Sequence, residues 1–347
     1  MLKVEMDYEP TITTFGETFT LQRIIGNLKG SEGYPTIIAI GGIHGNEKAG
    51  VVALHKVIKS ISSKKIPLLG NLFALTGNLQ ALKDDVRFHD FDLNRIWKEK
   101  SFQEVRNNKE KSSEHKELIE LYDIIKEIIN TNKGPFIFLD LHTTSAETKP
   151  FITISDSLNN RKFSKNFPVP IILGIEEYLD GPLLSYVNKF GYTALGFEGG
   201  SHYNTDSVKN CESFIYMALI ASNCIEKKYS KRLTNFDTIP NLGYPKNDFW
   251  EISYRYRISE NEDFKMLSGF TNFDKIYTNQ LLAYSNGKSI KSSFAGDIFM
   301  PLYQDKGDDG FFIVNKIPKF WLILSRFMRK LNLHLLLRLL PGIKKHK

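Results

Sequence analysis

The stretch Gly41-Gly42-Ile43-His44-Gly45-Asn46-Glu47 limits what this chain can fold into more than any other. It follows the apolar run Thr36-Ile37-Ile38-Ala39-Ile40 and precedes an apolar-periodic segment from Ala49 to Ile58. The run reads as a buried strand and the segment after it as a helix. Gly41 and Gly42 let the backbone turn sharply between them. His44 and Glu47 are three apart, so a turn already winding into the helix puts both side chains on one side of the chain. That side is the carboxyl end of a strand, where open α/β sheets place their ligands.

An imidazole and a carboxylate fixed together are two of the three protein ligands that a catalytic zinc uses, with a fourth position left for water. The third is offered by Phe136-Ile137-Phe138-Leu139-Asp140-Leu141-His142-Thr143-Thr144, again a histidine at the end of an apolar run. Either histidine alone reads as a residue that closes a strand; the joint pattern reads as a metal centre. Asp140 either supports a ligand imidazole or faces away from it.

These residues resemble the succinylglutamate desuccinylase and aspartoacylase amidohydrolases, relatives of the zinc carboxypeptidases. Gly-Gly-Ile-His-Gly-Asn-Glu is similar to that family's first zinc motif, and Asp-Leu-His-Thr-Thr-Ser to its second. Asp92-Leu93-Asn94-Arg95, with Arg87 upstream, and Gly196-Phe197-Glu198-Gly199-Gly200 follow in the family's order, and the resemblance runs from about Thr36 to about Val314. It implies one Zn2+ per chain on His44, Glu47 and His142, with Glu198 as general base. It places Arg87 at the carbonyl oxygen, where negative charge develops. Arg95 offers a planar fork that suits a substrate carboxylate, together with Asn94, while Asp92 orients the arginines. The family's aspartoacylases carry a further arginine about ten residues before the catalytic glutamate. Here Val187-Asn188-Lys189-Phe190 occupies that neighbourhood, and Lys189 can substitute only as a point charge. The aspartoacylase tyrosine segment is not recognisable either, which leaves Tyr303 as its nearest counterpart and disfavours N-acetylaspartate as substrate.

With 347 residues, 41% hydrophobic and 24% charged, the chain is of ordinary soluble composition and long enough for two domains. Its first residues lack the apolar core of a signal peptide, and Cys211 and Cys224, 13 apart, match no metal or redox spacing. The expectation is a cytoplasmic protein with two reduced, buried cysteines. The net charge of +7 is local: nine of the 46 Lys and Arg fall between Lys316 and Lys347, where there is no Asp or Glu, which leaves 37 basic against 39 acidic residues elsewhere. Any partner that the basicity implies is therefore a partner of the tail.

Along the chain, residues 17 to 28 read as extended, Asn71 to Thr76 as a strand, 98 to 116 as a polar surface excursion, and the periodic Leu118, Leu121, Ile124, Ile125 and Ile128 as a helix. Strands are expected near 135 to 142, 151 to 155, 169 to 174 and 192 to 198, and a helix from Val208 to about Ile225. The fold class is α/β, a zinc-carboxypeptidase-like mixed sheet flanked by helices, with a smaller C-terminal β domain and a terminal basic amphipathic helix. The expected divisions are a catalytic domain over 1–235, a β domain near the active-site entrance over 245–315, and a basic apolar tail over 316–347. Two decoys are set aside. Asn286-Gly287-Lys288-Ser289 lacks the first glycine of a phosphate loop and reads as a hairpin, and Ser201-His202 reads as a solvated turn.

The expected function is zinc-dependent cleavage of the amide bond of an N-acyl amino acid or similar small carboxylate-bearing amide. The alternatives are a metallocarboxypeptidase-type peptidase and a catalytically silent, membrane-associated binding protein. No nucleic-acid partner is expected. Pro318 to Leu340 is long enough for a helix that Pro341-Gly342 would stop, but its basic residues oppose crossing a bilayer. Docking on the body, self-association through the tail, and peripheral contact with the inner membrane surface are the readings it leaves open.

Overall fold

The computed structural model describes residues 11–107, 112–175 and 178–330, without the side chains of Arg329 and Lys330. In chain order the first half comprises β1 (Thr11–Thr14), β2 (Glu17–Thr20), β3 (Ile24–Leu28), β4 (Thr36–Gly41), α1 (Ala49–Ser63), β5 (Asn71–Thr76), α2 (Leu79–Asp84), α3 (Glu99–Arg106), α4 (Ser113–Thr131), β6 (Phe136–Thr144) and β7 (Phe151–Ile154). The second half comprises α5 (Leu158–Ser164), β8 (Ile171–Leu173), α6 (Leu183–Asn188), β9 (Thr193–Ser201), α7 (Thr205–Ala221), α8 (Thr238–Asn241), β10 (Phe249–Arg257), β11 (Phe264–Met266), β12 (Lys275–Ile276), β13 (Leu281–Ser285), β14 (Lys288–Lys291), β15 (Gly296–Phe299), β16 (Asp309–Lys316) and α9 (Lys319–Lys330).

Eleven strands form one mixed sheet in the order β12-β15-β16-β10-β8-β7-β9-β6-β4-β5-β3. Its centre is parallel: β4 pairs with β5 and β6, and β6 with β9. Those strands are buried on both faces, which is why they read as unbroken apolar runs. One core lies beneath α1 and α7, and a second lies on the opposite face beneath α4, where Leu118, Leu121, Ile125 and Ile128 are buried. Beyond residue 245 the chain adds β10, parallel to β8, and then antiparallel β16, β15 and β12 to the same sheet. A separate three-stranded sheet, β11-β13-β14, stands on a core of its own around Leu282, Ile298 and Phe311. The Asn286-Gly287 turn joins β13 to β14 as a hairpin, and both cysteines are free and buried.

The polar stretch 98–116 departs from expectation. It holds α3 and the first turn of α4, and it buries Phe102, Glu114 and His115. Phe102 packs among Trp97, Tyr122 and Tyr186, and that aromatic cluster draws a mostly charged segment onto the body. The helix expected from Pro318 is present over Lys319–Lys330; the remainder of that expectation, to Leu340, lies outside the described residues.

Candidate metal centre

The turn after β4 is built as its glycines require. Gly42 has φ +73°, a left-handed conformation that a side chain would strain, and a Cβ on Gly45 would lie 2.1 Å from the Ala81 backbone. The Glu47 N–H donates to the His44 carbonyl at 3.1 Å, closing a turn that leaves both side chains facing the same way. The third residue arrives by strand register. His142 on β6 is the direct partner of Glu198 on β9, and the pairing shifts between His142 and Thr144, so a bulge sits at the site. Asp140, two residues before His142, points from the same face of its strand.

His44, Glu47 and His142 are buried, and one ligand atom from each lies within 4.8 Å of the others. Nδ1 of His44 is 2.8 Å from one Glu47 carboxylate oxygen and Nδ1 of His142 is 2.9 Å from the other. The outer ring nitrogens are held by carboxylates: Nε2 of His44 lies 3.0 Å from Asp92, and Nε2 of His142 lies 2.8 Å from Asp140. Two convergent imidazole nitrogens and a carboxylate, with each ring oriented from behind by an aspartate, form a donor set that fits zinc. Burial alone would raise the Glu47 carboxyl, but the flanking His44 and His142 hold it well below the usual range. Burial would likewise lower His142, yet Asp140 and Glu47 hold it well above its ordinary value. The field that retains a proton on His142 also favours a cation.

Glu198 lines the same cavity, and its Oε2 is buried with no hydrogen-bond partner among the described residues. Burial, reinforced by Glu47 and Asp140 against the pull of His142 and Arg87, pushes its carboxyl up to about 8. Arg87 donates to Glu47 at 3.2 Å and to Asp92 at 3.3 Å. Asn94 accepts from the Leu183 N–H at 2.9 Å, which leaves its amide nitrogen, 3.5 Å from His142, on the cavity side. Arg95 donates to the Asn94 carbonyl at 3.0 Å and makes a looser 3.5 Å contact with Asp309, which Arg255 also engages.

The cavity holds about 400 Å³. It brings together Arg87, Asp92, Asn94, Arg95, Asp140 and Glu198 with the three candidate ligands, and Met300, Leu302, Gln304 and Asp309 form its far wall. Lys189 and Tyr303 are not among the lining residues, which corrects the expectation for both. Lys189 caps the end of α6 on the solvent side. The Tyr303 hydroxyl is spent on the backbone at Leu267 and Phe270, and its neighbour Gln304 turns inward instead. His202, expected in a solvated turn, is in fact buried at the site. It pairs through Nδ1 with the Thr143 hydroxyl at 2.8 Å and through Nε2 with Gln304 at 3.3 Å, and burial lowers its pKa, so it stays neutral. Its partners Thr143 and Gln304 lie 59 and 102 positions away in the chain, so the sequence gave no signal for this role.

Glu114 also escaped the sequence reading. Fully buried, it accepts from the backbone N–H groups of His89, Asp90 and Phe91 and from the Asn78 amide, and so fixes the loop that carries Arg87 and Arg95. Burial alone would raise this carboxyl, but those donors hold it below the usual range. Ser112, which accepts from the His115 N–H as helix cap, was the available clue that a helix began here with an acid in its first turn.

Parallel strands that deliver histidines and a buried glutamate to one end of a sheet define an α/β protein organised around a candidate metal centre. Residues 34–174 match the succinylglutamate desuccinylase/aspartoacylase catalytic domain, so this part of the chain is similar to that family. It is 33% identical over 66 residues to the succinylglutamate desuccinylase of Paraburkholderia xenovorans, a match covering 19% of each chain. It is 25% identical over 161 residues to that of Photorhabdus laumondii, covering 44% of this chain and 48% of that one. The matched chain thus spans less than half the length of these relatives. In fold it resembles the crystal structure of the succinylglutamate desuccinylase of Vibrio parahaemolyticus, with a TM-score of 0.62 at 17% identity over 84% of both chains.

Proposed function

We propose that this protein is a zinc-dependent hydrolase of the amide bond of an N-acyl amino acid or a similar small carboxylate-bearing amide. The observation that carries the proposal is the convergence of both Nδ1 atoms on Glu47 beside a buried glutamate with an unpartnered oxygen. His44, Glu47 and His142 would hold the metal, one per chain. A bound zinc supplies Lewis acidity, which polarises a carbonyl and makes water a better nucleophile near neutral pH. Glu198 takes the proton of the attacking water on its carboxylate and hands it to the leaving amine. Arg87, already balanced by Glu47 and Asp92, faces the carbonyl oxygen as its charge grows. Arg95 and the Asn94 amide hold the substrate carboxylate, with Arg95 leaving its long contact to Asp309 for a better acceptor. The wall contributed by residues 300–309 favours a small amide over an extended peptide and argues against a carboxypeptidase. The full set of titratable groups argues against a silent binding protein. We place the activity in the cytoplasm.

A deacylation screen of N-acyl amino acids with zinc-loaded protein tests the reading. Release of a free amine, abolished by a chelator and restored by zinc, is expected. Chelator-insensitive activity would remove the metal from the mechanism, and activity on peptides alone would favour the carboxypeptidase. Arg95→Ala should raise KM while kcat changes little, since Arg95 is assigned to ground-state binding. An unchanged KM, with substrates lacking the carboxylate turned over equally well, would reassign it.

A further inference from the structure

Helix α9 docks on the body by a narrow face and leaves its largest apolar side chains exposed. Leu322 packs against the main core and Ser325, three residues on, accepts from Arg161 of α5 at 2.7 Å, so this narrow face is the docked one. Phe320, Trp321, Ile323 and Phe327 point away from it and are 66%, 58%, 69% and 58% exposed. No helix among the described residues is long and apolar enough to cross a membrane.

The charges that α9 itself carries are all of one sign, while Arg161 beneath it is paired with Asp156. Lys319 and Arg326 flank the exposed face on the helix, and no acidic residue occurs between Lys316 and Lys347. Just past the end of α5 beneath, Lys165 is lowered by burial and by the nearby charges of Arg326 and Arg161. Beyond the described residues the sequence continues with seven leucines and further Arg and Lys before Lys347. A second copy of the chain is a poor match for this face, because a two-fold contact would set Lys319, Arg326 and Lys165 against their own kind. Nucleic acid matches the charge but not four exposed large apolar side chains.

We propose that α9 is a docking surface for an anionic lipid bilayer, lying in the plane of the interface with Phe320, Trp321, Ile323 and Phe327 among the headgroups and acyl chains. The flanking cations supply the preference for anionic lipid, and aromatic rings are well suited to the interfacial layer. This surface is independent of the metal centre and of its chemistry.

Cosedimentation of the full chain with vesicles of phosphatidylcholine, with and without phosphatidylglycerol, tests the proposal. Binding is expected only with phosphatidylglycerol, at least ~10-fold above phosphatidylcholine alone, and it should weaken as salt rises. Because Trp97 is buried and Trp250 half-buried while Trp321 is exposed, emission should move to shorter wavelength on binding, and Trp321→Phe should remove most of that shift. The double variant F320E/F327E alters exposed side chains, so its circular dichroism should match the parent while vesicle binding falls at least ~10-fold. No binding to phosphatidylglycerol vesicles, equal binding to both vesicle types, or equal binding by the variant overturns the proposal. Lipid-free self-association abolished by F320E/F327E, without vesicle binding, also overturns it and assigns the face to a second copy.

Discussion

Glu198 shows how much one side chain depends on its setting. A carboxylate on a solvated loop would be ionised and weakly basic, whereas this one, at a strand end among other acids, is pushed up to about 8. A cation on the adjacent ligands works against that rise, so the group gains or loses its proton with the state of the centre. Replacing Glu198 with Ala should leave zinc content intact while kcat falls by at least ~10²-fold, the usual contribution of general acid–base assistance. Metal analysis and kcat on one preparation separate this from loss of the centre, and full activity would exclude Glu198 as the base. As a candidate base it was legible in sequence through the family resemblance, and because a glutamate between glycines after an apolar run has little packing to do. The burial that tunes it was not, since that depends on Glu47 and Asp140, 151 and 58 positions earlier.

At the scale of elements, the first turn of α4 decides where the arginine loop lies. Glu114 receives three consecutive backbone N–H groups from residues 89–91, a task that Gln cannot repeat because its amide nitrogen would face donors. Glu114→Gln should cost about 1–3 kcal/mol at pH 7 and raise KM more than it lowers kcat, because the loop positions binding groups. The pH dependence has a definite sign. Since the folded-state pKa lies below the unfolded value, the contribution of Glu114 is complete above the ordinary glutamate range and is lost as pH falls through the depressed value. Thermal melts of parent and variant should therefore converge toward acid pH; parallel curves would refute the assignment. The sequence reading found the strands of the centre within a few residues because their period and glycine punctuation are local signals. It missed α3 because the signal there is one phenylalanine whose partners, Trp97, Tyr122 and Tyr186, are spread along the chain, and it passed over the Ser112 cap that marks the start of α4. Lys189 and Tyr303 were misplaced for a related reason: which way a residue at the end of a helix or on a loop faces is decided by packing from elsewhere.

For the whole molecule, the centre joins segments that are far apart in the chain, so a bound metal should stabilise the folded state as a unit. At free zinc 100 times Kd the added stability is about 2.7 kcal/mol, provided that the unfolded chain does not bind. Calorimetry should show Tm rising with zinc in the parent and barely moving in His142→Ala, and an equal rise in both would place the binding elsewhere. The chain that runs from Glu47 through Thr143 and His202 to Gln304 has a consequence in time as well as in space. Every candidate ligand has been made once the ribosome passes residue 198, but Gln304 follows His202 by 102 residues. At ordinary rates of synthesis that interval lasts about 5–20 s. For that long the nascent chain carries all the groups that would take up a metal while still lacking the far wall of its cavity, so acquisition of the ion can precede the ability to retain a substrate.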